Sequence, residues 1–177
     1  YCACHSLTKA SPSAAGSWAE SVMPSTPSTL PWAITSPKAG TLGKAGYAII
    51  ALDLIRFSRI NESLGAMAGD ELIITVARRV KSVLRAGDVL ARIGGNEFAV
   101  FAHVGHGLSE VLQIAERVRK VFESPIRLST YLINVEVALG CALAQEDDED
   151  VENLLRQAQA AVKRAKEEAE RVLENRG

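Results

Sequence analysis

The sequence holds few cysteines, almost no proline beyond its first 40 residues, no surplus of either charge and no long apolar run. Each shortage removes a class of protein. Cys2, Cys4 and Cys141 are too few and too unevenly spaced for a disulfide framework, which makes a reducing cytoplasm the expected setting. Cys2-Ala3-Cys4-His5 is too cramped to close a zinc site without distant partners. Nowhere do roughly 18 apolar residues run uninterrupted, so no membrane span is expected. Lys and Arg number 20 against 21 Asp and Glu, and a net charge of -1 argues against a protein that holds long nucleic acid electrostatically. No basic stretch followed by an apolar one opens the sequence, so no secretory signal is expected there. What remains, 177 residues of which 47% are hydrophobic and 23% charged, suits one soluble globular domain with a tail.

The tail is legible in the composition. Pro12, Pro24, Pro27, Pro31 and Pro37 lie in the first 40 residues with Trp18 and Trp32, and the only charges there are Lys9, Glu20 and Lys38. Proline removes a backbone donor and fixes φ, so this stretch holds neither a long helix nor a central strand. Residues 1–43 are therefore expected to be a poorly specified leader, docking weakly through its tryptophans, and residues 44–177 the domain. A start at Tyr1 rather than Met suits a fragment of a longer protein.

From residue 44 the pattern is regular. Gly46 to Asp53 is a continuous apolar run closed by an acid, as in a strand covered on both faces. Leu72, Ile73, Val76, Ala77, Val80, Val83 and Leu84 recur at helical spacing behind Gly69-Asp70 and stop at Gly87-Asp88. Val89–Ile93 and Glu97–His103 are two apolar runs joined by Gly94-Gly95-Asn96, which is hairpin chemistry. An amphipathic helix follows from Leu108 to Phe122, with Glu116 and Lys120 placed to pair on its exposed side. Ile126–Leu128 and Tyr131–Leu143 read as a second hairpin. Asp147-Asp148-Glu149-Asp150 precedes a last helix beginning near Val151, where negative charge suits the helix dipole better than it makes a calcium loop. The order β-α-β-β-α-β-(β)-α predicts an α+β fold of the ferredoxin-like kind, a mostly antiparallel sheet flanked by helices.

Two features are not explained by folding alone. Asp53 closes an otherwise apolar strand, and the Gly94–Phe98 hairpin tip sets polar groups between buried strands. If strands 46–53 and 97–103 are neighbours, both meet at one sheet edge, where oxygen ligands could hold magnesium and through it a nucleotide triphosphate. The alternative is that Asp53 caps the next helix and the glycines only make the turn.

Asp53-Leu54-Ile55-Arg56-Phe57-Ser58-Arg59-Ile60-Asn61, Gly65, Gly69-Asp70 and Arg92-Ile93-Gly94-Gly95-Asn96-Glu97-Phe98 together resemble the signature of the GGDEF domain, over about residues 45 to 168. Members of that family are diguanylate cyclases, which join two GTP into the bacterial second messenger cyclic di-GMP on a nucleotidyl-cyclase, palm-like fold. The resemblance implies a catalytic set of Asp53, Asn96 and Glu97, with magnesium held by Asp53, the Leu54 carbonyl and Asn96. It implies that Asn61 and Asp70 read the guanine edge, that Gly94 and Gly95 leave room for phosphates, and that Lys166 meets the triphosphate. Arg85-Ala86-Gly87-Asp88 matches the family's inhibitory cyclic di-GMP site, with Arg117 as a further arginine on the bound product. A guanidinium can grip phosphate or guanine in two places while a carboxylate accepts from the guanine edge.

Departures from the family pattern fall where catalysis needs charge. Asn96 replaces the acid that shares the metals with Asp53, and magnesium prefers carboxylates. Ile55, Ser58 and Ala66 stand where the family has an aspartate, a lysine and a histidine, although Arg56 and Arg59 flank Ser58. Glu167-Glu168-Ala169-Glu170-Arg171 replaces a glycine-arginine-asparagine turn. The expected protein is a degenerate cyclase, weak or inactive, that binds GTP or cyclic di-GMP and regulates an attached phosphodiesterase or sensor domain. The alternatives are an active cyclase, which would work as a homodimer with two GTP face to face, and an interaction domain that binds no nucleotide.

Overall fold

The computed structural model of the chain describes residues 32–34, 46–145 and 150–175, so the readings on Cys2, Cys4, His5, Trp18 and Asp147 to Glu149 lie outside the described residues. The elements are β1 (Trp32–Ile34), β2 (Gly46–Leu54), α1 (Phe57–Leu64), α2 (Ala66–Val83), β3 (Val89–Arg92), β4 (Glu97–Val104), α3 (Leu108–Lys120), β5 (Ile126–Arg127), β6 (Leu132–Ile133), β7 (Val137–Gln145) and α4 (Val151–Asn175). The main sheet runs β1-β7-β2-β4-β3, with β7, β2, β4 and β3 antiparallel and β1 added parallel to β7 at the edge. This is the α+β architecture the sequence predicts. Within the span expected as leader, Trp32 to Ile34 thus pair with Leu139 to Cys141 as an edge strand.

Strand β2 is central, and its alternation sorts the two faces. Ala48, Ile50, Leu52 and Leu54 join the core beneath α2 and α3, built with Leu72, Val76, Val80, Val111, Ile114 and Val118. Ile49, Ala51 and Ile55 point the other way, into a second core under α4. That second face is made of small residues: Ala51, Ala99, Ala138 and Ala142 meet Ala158, Ala161, Ala165 and Ala169. Small side chains let the helix lie close to the sheet. At Gly140 a Cβ would sit 2.3 Å from the Val162 nitrogen and 2.5 Å from the Ala158 oxygen, so only glycine fits beneath the helix. Asp150 starts α4, its Oδ1 accepting from the Asn153 N–H at 2.8 Å.

Three local expectations change. The span from Phe57 to Leu64 is a helix of its own, entered through Arg56 in the left-handed region at φ 58 and left through Gly65 at φ 88. The run expected as one strand from Tyr131 to Leu143 is two: β6 pairs with β5 in a separate ribbon, whereas β7 pairs with β2 from Val137 onward. On α3, Glu116 is held by Arg119 rather than Lys120, because the guanidinium grips both its oxygens at 2.8 Å and also reaches Glu123. That grip, with Lys120 contributing at longer range, holds the Glu116 carboxyl below its usual range and raises the Arg119 pKa further. No helix among the described residues is long and apolar enough to cross a membrane.

Candidate active site

Alternation along β2 places Asp53 on the α4 face, after Ile49 and Ala51, at the end of the strand where the sheet opens. Its register partner on β4 is Glu97, so the two acids are neighbours on one face. The β3–β4 turn then folds back over the strand end. The Leu54 N–H donates to the Asn96 carbonyl at 3.2 Å, which fixes the turn against β2. Arg92 braces the turn, donating to the carbonyls of Gly94 and Gly95 at 3.1 and 2.7 Å. Gly94 leaves its space to the Glu97 side chain, and Gly95 is open.

The side chain of Asn96 turns its nitrogen inward. Nδ2 lies 2.7 Å from Asp53 Oδ1 and 2.9 Å from the Leu54 carbonyl oxygen. Both partners are acceptors only, so the amide has to present its N–H groups to them. From the other side, the close approach of α4 brings Lys166 Nζ to 2.8 and 3.0 Å from the two Asp53 oxygens. Asp53 is 6% exposed, and a buried carboxylate needs such partners. The structure therefore unites Asp53, Leu54, Asn96 and Lys166, with Glu97 beside them.

Magnesium does not fit this donor set. The acceptors that would ligate it, the Asp53 carboxylate and the Leu54 carbonyl, are met by an ammonium and an amide N–H. Asn96 offers its nitrogen rather than the oxygen expected of it as a ligand. Among the described residues no three His, Cys, Asp or Glu side chains converge as metal ligands. Beyond the cluster lies a groove of about 470 Å³ between the turn and α4. Asp53, Glu97, Glu167 and Glu170 line it against Lys163 and Lys166, leaving acids in excess of bases by two.

The other candidates sit apart. Asn61 on α1 has its Oδ1 buried without a hydrogen-bond partner and turned toward Gly69, where a Cβ would lie 1.8 Å from that oxygen. Asp70, the next residue on α2, is exposed. Arg85 and Asp88 form a turn after α2, the Arg85 N–H donating to Asp88 Oδ2 at 3.0 Å. The Arg85 guanidinium is engaged by Glu110, an acid of α3 outside the expected site residues. Glu110 is buried and also accepts from the Gly105 and His106 N–H groups at 2.7 and 3.1 Å. The Arg85 hydrogen bond and the two backbone donors outweigh burial and hold its pKa at about 2. Its signal in the sequence is position: Glu110 lies one turn before Ile114, on the buried stripe of α3. Arg117, two turns along from Glu110, has Nη2 buried without a partner.

A mostly antiparallel α+β sheet with an acid at the end of its central strand and a Gly-Gly turn folded over it defines a class, and the comparisons agree. Residues 38–171 match the family described as "Diguanylate cyclase, GGDEF domain". The chain is 37% identical over 121 residues to the cyclic di-GMP phosphodiesterase NbdA of Pseudomonas aeruginosa, covering 68% of this chain and 15% of NbdA. It is 35% identical over 123 residues to the diguanylate cyclase TpbB of the same organism, covering 69% of this chain and 28% of TpbB. The solved GGDEF domain of TpbB superposes with a TM-score of 0.65 at 34% identity, over 71% of this chain and 73% of that one. The chain belongs to the GGDEF domain family, a domain of cyclic di-GMP signalling. It spans less than a third of the length of these curated relatives.

Proposed function

We propose that this domain is a degenerate diguanylate cyclase that does not condense GTP and acts instead as a nucleotide-binding module, with GTP or cyclic di-GMP as ligand, regulating a domain attached to it. One observation carries the reading. The carboxylate matched to the family's first metal ligand is neutralised from within, by Lys166 at 2.8 Å and the Asn96 amide at 2.7 Å. Charge supports the loss of turnover further, since the groove beside Asp53 carries more acids than bases and holds a triphosphate only weakly when no dication screens it. The Gly-Gly-Asn-Glu-Phe turn is the sequence expression of the same loss. The inhibitory-site pair Arg85 and Asp88 is retained, which favours cyclic di-GMP as the regulatory ligand. A phosphodiesterase is the partner domain we favour, because NbdA carries that name and this chain matches only 15% of it.

The test is turnover followed by calorimetry on the whole chain. Incubated with GTP and Mg2+, the protein is expected to yield no cyclic di-GMP by mass spectrometry, and product above the enzyme-free control would refute the reading. Titrated with cyclic di-GMP it is expected to give heat that Arg85→Ala removes. No heat with either nucleotide would favour the interaction-domain alternative.

A further inference from the structure

We infer that Lys166 and the Asn96 amide together stand in for a divalent cation at Asp53, so that the domain holds its strand end closed with a built-in cation and takes no metal there. The inference rests on the degenerate-cyclase reading of the same site and goes beyond it by stating what these two groups do to the metal affinity of Asp53 and which substitutions restore it.

The argument is one of donors. Asp53 and the Leu54 carbonyl form a pair of hard oxygens at the end of β2, the kind of pair that suits magnesium or manganese. Each is already coordinated by a hydrogen-bond donor. Asn96 bridges the two, and its backbone carbonyl accepts from the Leu54 N–H, so the residue is clamped to β2 at three atoms. It cannot turn its oxygen inward without setting one acceptor against two others. Lys166 supplies the positive charge. It projects from α4 beside the buried stripe that holds Ala165 and Ala169, and the small residues under that helix bring its ammonium into contact with both carboxylate oxygens. With 29% of its side chain exposed against 8% for Asp53, the lysine reaches in from the groove to a carboxylate that water barely touches. An ammonium carries one charge and three donors where a dication would demand several oxygens.

Manganese, used alone as the probe, tests this by the electron paramagnetic resonance of the free ion. The wild type and Asp53→Asn are expected to hold Mn2+ equally weakly. The double substitution Asn96→Asp with Lys166→Met returns an acid and removes the competing ammonium. It is expected to bind one Mn2+ at least about tenfold more tightly, the scale on which changes around a metal site act. That gain should vanish when Asp53→Asn is added. Asn96→Asp alone, which keeps the lysine, is expected to show a smaller gain and serves if the double variant does not fold. Tight Mn2+ binding by the wild type that Asp53→Asn abolishes would overturn the inference, as would no gain in either Asn96→Asp variant. Failure here is distinct from failure of the functional reading. Metal bound at Asp53 without turnover leaves the degenerate cyclase standing, whereas cyclic di-GMP formed in the presence of a chelator refutes that reading and leaves the built-in cation standing.

Discussion

Replacing Glu110 by glutamine should weaken the fold at neutral pH and matter little in acid. The carboxylate binds the Arg85 guanidinium and the N–H groups of Gly105 and His106, and its pKa falls from 4.5 to about 2. At about 1.4 kcal/mol per pH unit this difference corresponds to about 3 kcal/mol of stability. Arg85 is half in solvent, 49% of its side chain exposed, so screening brings the expected cost of Glu110→Gln down to about 2 kcal/mol. The sign follows from the lowered pKa. The contribution is fully present above pH 4.5 and is lost as pH falls from 4.5 through about 2. Urea unfolding followed by circular dichroism at a series of pH values checks this. The gap between wild type and variant should be widest at pH 7 and shrink steadily as the carboxylate of the wild type is protonated. A gap that stays constant down to the acid limit, or no gap at pH 7, would refute the electrostatic origin assigned to this contact.

Three further outcomes follow from the same contacts. Lys166→Met strands a buried carboxylate and should cost about 3 kcal/mol, most of it recovered when Asp53→Asn is added, a coupling that a double-mutant cycle in urea would measure. Gly140→Ala drives a methyl into the backbone of α4 at 2.3 Å from Val162 N and should destabilise by about 2 kcal/mol or more, read as a lower Tm. Cys141 is buried and burial pushes its thiol up to about 12, so a thiol reagent at pH 8 should leave the native protein unmodified and label it only in denaturant.

The parts of the fold visible in the sequence are those with a strong local signature. The apolar run ending in Asp53, the Gly-Gly-Asn turn and the periodic stripes of α2, α3 and α4 each specify an element without help from the rest of the chain. The meeting of Asp53 with the turn needs one thing more, that strand 97–104 lie antiparallel beside β2, and the register Asp53 to Glu97 supplies it. What the sequence does not display depends on contacts across the chain. Helix α1 is only eight residues long, none of them buried, and is entered through a left-handed Arg56, so it has little periodicity to display. The split between β6 and β7 turns on which neighbour each segment finds, β5 or β2, and both read as extended chain. The pairing of Lys166 with Asp53 spans 113 positions and depends on how closely α4 lies on the sheet. That depth is written only indirectly, in Gly140 and a scatter of alanines. Glu110 shows the same limit, because an acid on a buried stripe declares its burial but not the arginine it holds.

The central claim is that the Asp53 carboxylate is satisfied by the protein's own Lys166 and Asn96. Crystals of the protein grown with Mn2+ and a non-hydrolysable GTP analogue, measured at the manganese absorption edge, address it directly. The expected result is Lys166 Nζ within about 3 Å of Asp53 and no anomalous peak at that carboxylate. An anomalous peak bonded to Asp53 and the Leu54 carbonyl, with the lysine swung aside, would contradict it.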